Sequence, residues 1–140
     1  MNNRFKFRVW YKKTHKMYDV DSLHLDSKDG EWVWTHYYNP IYDKDLKIQI
    51  EKDYILMQCT GLKDKNGKLI YEGDIVKDDR DTLYVVGFHE HEYTTSFGLK
   101  RIENPNYYPH ITIYCGLGYK NRNNYEVIGN IYENKELLSA

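Results

Sequence analysis

A mainly β chain with curved sheets and little helix is predicted, on three observations. Short apolar runs recur about every 8–12 residues with turn signals between them, the spacing of small all-β domains. No stretch sustains the 3.6-residue apolar period of a long amphipathic helix. The central residues 54–78 set apolar runs on either side of two glycine-marked bends, Asn66-Gly67 and Glu72-Gly73-Asp74. Asn66-Gly67 is read as the centre of a type I′ hairpin, in which both residues need positive φ. Gly73 permits the corner of a small, strongly curved barrel.

In chain order, residues 4–11 alternate, with Arg4, Lys6, Arg8 and Trp10 on one face and Phe5, Phe7, Val9 and Tyr11 on the other. Period two marks a half-buried strand, which places Phe5, Phe7 and Val9 in the core. Thr14-His15-Lys16 reads as a turn, and Met17 to Val20 as a strand pairing back. Leu23-His24-Leu25 is a further short strand. Ser27-Lys28-Asp29-Gly30 is a turn signal, and Glu31-Trp32-Val33-Trp34 is a strand with both tryptophans on one face. Asn39-Pro40 breaks it. Leu46, Ile48 and Ile50 alternate, which favours strand over helix.

Beyond the central stretch, Asp78-Asp79-Arg80-Asp81 is a charged loop, and Leu83 to Phe88 is the clearest β run. Residues 89–124 are less regular. Within them Ile111 to Cys115 reads as a strand, and Gly116-Leu117-Gly118 and Asn121 to Asn124 as loops. Tyr125 to Tyr132 closes the sheet, and Asn134 is placed to N-cap a last turn of helix ending at Leu137-Leu138. The 140 residues suit an N-terminal β-rich lobe, 1–53, and a C-terminal lobe, 54–140, or one continuous domain.

Composition excludes more than it assigns. A net charge of −1 gives no global attraction to nucleic acid. No run of about 18 apolar residues is present and no apolar segment opens the chain, so neither a membrane span nor a secretory signal is expected. Cys59 and Cys115 stand far apart, as in a protein with reduced thiols. Aromatics reach 16%, with fifteen tyrosines. Tyrosine suits a thin β fold because its ring packs while its hydroxyl stays wet.

The chemistry-bearing groups are sparse. His89 and His91 point the same way in a strand and would begin a metal site if His110 or Cys115 joined them; the simpler reading is an exposed strand end. Asp74, Asp78, Asp79 and Asp81 lack the ligand spacing of an EF-hand and read as a solvated turn, with Asp74 bonding its own bend. Gly116-Leu117-Gly118 has no helix behind it to cradle phosphate. Arg4, Lys6, Arg8, Lys12, Lys13 and Lys16 all precede the first acid, Asp19, with Trp10 and Tyr11 among them. Cations interleaved with aromatics suit single-stranded nucleic acid. Lys100-Arg101 and Tyr119-Lys120-Asn121-Arg122 would extend that patch; against this stands an ordinary solvated strand face.

Three blocks resemble the YopX family of phage and prophage proteins. They are Phe5 to Trp10 with Lys16-Met17-Tyr18, then Met57 to Val76, then Tyr125 to Asn134 with Glu136-Leu137-Leu138. The middle block is the most specific. Cys59 departs from it, standing where the family often carries an aromatic, and residues 20–50 and 89–123 lie outside the resemblance. The resemblance implies a β-rich fold with an SH3-like β-barrel in the C-terminal part, carriage on a phage or prophage genome, and a bacterial cytoplasm. It brings no catalytic residue with it.

The function expected is therefore that of a non-catalytic accessory protein, without cofactor or metal. It would act as a protein-interaction module and homo-oligomer, with a phage or host protein as partner and no membrane association. Sheet edges need cover, and Trp32 and Trp34 are the candidate interface. The alternative is a nucleic-acid-binding small β-barrel using Arg4, Lys6, Arg8, Trp10, Lys12 and Lys13.

Overall fold

The computed structural model describes residues 3–25, 28, 30–35, 46–49, 54–90, 95–102, 114–116 and 124–139; at 32, 46–49, 89–90, 95 and 114–116 it describes the backbone alone. All strand pairings among them are antiparallel and fall in two sheets. Among the described residues helix is confined to short 3₁₀ turns, among them Asn3–Phe5 and Lys135–Ser139. The chain forms two compact units, Arg4–Gln58 and Cys59–Ala140, the latter including Met1–Asn3.

In the N-terminal unit, β1 (Phe7–Tyr11) is flanked by β2 (Lys16–His24) and by the first half of β5 (Tyr54–Lys63). Then β3 (Trp32–Thr35) pairs with β2, and β4 (Leu46–Gln49) with β3. The expected hairpin between residues 7 and 20 is present, with Val9 opposite Tyr18 and Tyr11 opposite Lys16. Two expected short strands are instead the single strand β2, whose register shifts between Val20 and Ser22. A bulge there absorbs one residue and keeps Leu23 on the face of Val20. Val9, Val33 and Tyr54 are fully buried and collect Tyr11, Tyr18, Val20, Leu23 and Leu56 around them.

Two placements from the alternation differ from the structure. Phe5 does not join the core; it lies in the 3₁₀ turn before β1 and is 73% exposed. The period-two pattern starts at Phe7 because the backbone leaves the extended conformation before it. Trp10, assigned to the polar face, is 9% exposed. The His15 ring of the following turn packs against it, edge to face with centroids 6.0 Å apart.

In the C-terminal unit, the second half of β5 pairs with β6 (Leu69–Tyr71). A five-stranded sheet follows in the order β10-β9-β8-β7-β11, built from β7 (Asp74–Lys77), β8 (Leu83–Glu90), β9 (Thr95–Arg101), β10 (Tyr114–Gly116) and β11 (Glu126–Asn130). Ile70, Val76, Val86, Leu99 and Tyr125 form its buried core, with Leu62, Tyr84 and Val127 packed on it. Strand β9 was not anticipated, since Gly98 interrupts its apolar alternation. Among the described residues the strand pairings form two open sheets and do not close into a ring.

The Asn66-Gly67 turn differs in kind from the expected type I′. Gly67 alone has positive φ, 82°, and Asn66 does not. Gly67 N–H bonds the Asp64 carbonyl at 3.0 Å, and Asp64 N–H bonds the Lys68 carbonyl at 2.8 Å. This is the three-residue loop whose last position is left-handed. Asp78 to Thr82 repeats it, with Asp81 at φ 61° in the position of Gly67. At the corner between β6 and β7, Gly73 has φ 80°, and the Asp74 carboxylate accepts the Tyr71 N–H at 2.8 Å. Asn134 precedes the last 3₁₀ turn as expected. Its side-chain oxygen, however, turns back to accept the Asn130 N–H at 3.1 Å instead of capping that turn.

Candidate interaction surfaces

The apolar ladder on β8 and β9 runs past the core that it builds. Side chains two apart on a strand share a face. Val86 stands opposite Leu99, and the next rung on that face is Phe88 opposite Phe97. Val86 and Leu99 are buried, whereas Phe88 is 55% exposed. The two phenyl rings meet edge to face, with centroids 5.1 Å apart at 73°. Among the described residues, β7 accompanies β8 only from Leu83 to Val85, and β10 accompanies β9 only from Gly98 to Lys100. Among the described residues, the hairpin therefore continues as a two-stranded ribbon through Phe88–Glu90 and Thr95–Phe97. Two strands alone are only marginally stable in water. On the opposite face, Gly87, Gly98 and Gly116 occupy paired positions across three adjacent strands.

The tip of the β5–β6 hairpin is held by Asp64, a buried carboxylate. Its Oδ1 accepts the Asn66 and Lys68 N–H groups, both at 2.9 Å, and its Oδ2 accepts the Val127 N–H at 2.9 Å. Lys65 N–H adds a bond to the Tyr125 carbonyl at 2.9 Å, and Lys65 Nζ lies 3.2 Å from Glu126 Oε2. Burial pushes the Asp64 carboxyl up. The three amides, with the nearby Lys68 charge, outweigh burial and hold it below the ordinary carboxylate value.

A polar depression of about 400 Å³ lies between Asp78, Asp79, Arg80, Tyr84, Asn124 and Tyr125. Its carboxylate at Asp78 is committed to structure: Oδ1 accepts the Arg80 and Thr82 N–H groups at 2.9 Å, and Oδ2 accepts the Tyr84 hydroxyl at 3.2 Å. Asp74 bonds its own bend, as expected, and so the four aspartates do not converge. No cluster of three metal-ligating side chains occurs among the described residues. The side chains of His89, His91, His110 and Cys115 lie outside the described residues, as do Gly118, Tyr119, Lys120 and Arg122.

The basic residues near the N-terminus separate into two groups. Arg4 and Lys6 are exposed before β1, while Lys12, Lys13 and Lys16 are exposed at the turn beyond it. Six residues of strand separate Lys6 from Lys12 by about 20 Å. Between them Arg8 is half-buried and faces Asp19 across the β1–β2 pair. Trp10 offers little ring face, and His15 already stands edge-on to it at 6.0 Å. Trp34 is half-buried, and the Trp32 side chain lies outside the described residues. Sequence reasoning missed both exposed phenylalanines. Phe88 was counted into an apolar run, and Phe5 into a strand.

No helix among the described residues is long and apolar enough to cross a membrane. Residues 6–139 match the YopX protein family. Among solved structures, the chain is similar to protein EF1440 from Enterococcus faecalis, with 26% identity and a TM-score of 0.60, covering 96% of this chain and 97% of that one. It is also similar to protein yopX from Bacillus subtilis, at 22% identity and a TM-score of 0.56, with 98% of each chain covered. No curated protein matches.

Proposed function

The chain belongs to the YopX family, and from that premise we propose a non-catalytic protein-interaction module that associates with copies of itself. The observation that carries this reading is the ladder that leaves the core, with Val86 and Leu99 buried, Phe88 exposed on the next rung and Phe97 half-buried beside it, on what is, among the described residues, a two-stranded ribbon. An apolar rung on a marginal ribbon gains stability when a partner surface covers it. The same reading takes the C-terminal part as an SH3-like barrel. In support, the Asp64 carboxylate accepts the Val127 N–H of β11 and the Lys65 N–H donates to the Tyr125 carbonyl just before it, joining the β5–β6 hairpin to that strand. A phage or prophage setting, a bacterial cytoplasm and a phage or host protein as further partner belong to this proposal.

Sedimentation velocity at micromolar concentration tests it, on the wild type and on Phe88→Glu. The expected result is an oligomer that the substitution converts to monomer with an unchanged circular-dichroism spectrum. A monomeric wild type, or an oligomer indifferent to Phe88→Glu, would overturn the self-association.

A further inference from the structure

Phe5 is the most exposed large apolar side chain among the described residues, and its two chain neighbours, Arg4 and Lys6, are exposed cations. It is not on a loose end. The Gln58 side-chain amide donates to the Arg4 carbonyl at 2.9 Å across 54 residues of sequence, fixing the 3₁₀ turn that displays the ring. We propose that Arg4, Phe5 and Lys6 form a contact site for single-stranded nucleic acid, with Phe5 as the stacking platform and the two cations taking the flanking phosphates.

The charge arrangement favours that occupant. In a single strand, each planar base is flanked by phosphates along the chain, and here one ring is flanked by cations along the chain. Base stacking on an aromatic needs one accessible ring face and no hydrogen-bond code. Trp10, the aromatic that alternation placed with these cations, is covered and does not offer one. One stack and two phosphate contacts make a weak site whose affinity falls with salt, at a logarithmic slope of about −1.4. This proposal is independent of self-association through Phe88.

The test is an NMR titration of the ¹⁵N-labelled full chain with oligo-dT at low salt. The expected result is saturable shifts confined to residues 4–6 and Gln58. Affinity should fall about tenfold in Phe5→Ala, by the ordinary size of one aromatic–base stack. It should be lost in the Arg4→Glu, Lys6→Glu double variant and hold in Lys12→Glu, Lys13→Glu. Because Phe5 and both cations are exposed, the variants should keep the wild-type spectrum elsewhere. Absence of shifts in the wild type would overturn the proposal, as would shifts centred on Lys12 and Lys13, or a Phe5→Ala variant that binds as the wild type does. Shifts at residues 4–6 with anionic lipid vesicles but not with oligo-dT would also overturn it, reassigning the turn to membranes.

Discussion

Asp64 Oδ2 accepts the Val127 N–H at 2.9 Å across 63 residues of sequence, while Oδ1 of the same carboxylate holds the hairpin tip that carries it. One side chain thus shapes a local turn and joins it to a distant strand. Removing it leaves amide donors without their acceptor in a site only 6% exposed. Asp64→Ala should cost about 2–4 kcal/mol in urea unfolding, and Asp64→Asn somewhat less.

The pH dependence follows from the same bonds. The folded state holds the Asp64 carboxyl below its ordinary value, so the unfolded chain takes up the proton first as pH falls. The stabilisation is complete above the unfolded carboxylate value, about 3.9, and is lost as pH falls through the lower, folded value. The stability gap between wild type and Asp64→Asn should therefore be constant from neutral pH to about pH 5 and narrow below about pH 4. Urea midpoints along that series measure it.

The two matching turns predict opposite responses. Asp81 holds φ 61° where Gly67 holds 82°, and a side chain at left-handed φ is strained. Asp81→Gly should stabilise by about 0.5 kcal/mol, after the loss of its exposed ion pair with Lys77. Gly67→Ala should destabilise by about 1 kcal/mol, although open space surrounds the site of the new methyl group. Thermal unfolding of both variants checks the pair.

Gly129 answers to space instead of φ. A Cβ there would run into the Asn134 side chain, which is already bonded to the Asn130 N–H. Gly129→Ala should cost about 1–3 kcal/mol. In combination with Asn134→Gly the loss should be less than the sum of the two single losses, and a double-mutant cycle in urea reads that difference.

The rungs of the β8–β9 ladder should separate folding from association. Val86→Ala removes methyl groups from the core and should cost about 2 kcal/mol. Phe88→Ala gives up a half-exposed edge-to-face pair and should cost less than about 1 kcal/mol. Unfolding of the two variants at a concentration too low for association tests this.

The fold was legible where local chemistry and tertiary environment agreed. The β1–β2 hairpin, the strand from Leu83, the Gly73 corner and the Asp74 bend all follow from residues acting on their near neighbours. Reading failed where distant structure decided. Trp10 alternates with cations, yet it is 9% exposed, with His15 of the next turn packed on it. Phe5 fits the alternation, and a 3₁₀ turn fixed by Gln58 takes it out of the strand. Asn66-Gly67 was recognised as a turn but given the wrong type, because Asp64 was not counted as its first residue. The exposed rung at Phe88 was hidden for a similar reason: apolar residues in one strand look alike until the extent of the neighbouring strands is known.

The boundary between the two compact units falls inside β5, between Gln58 and Cys59. There is consequently no linker at which a protease or a gene rearrangement could part them cleanly. A break at that point would leave each fragment with half a strand, one half without its continuation beside β1 and the other beside β6. Recombination that exchanges whole modules would have to bring in residues 4–58 together with a matching second half of β5.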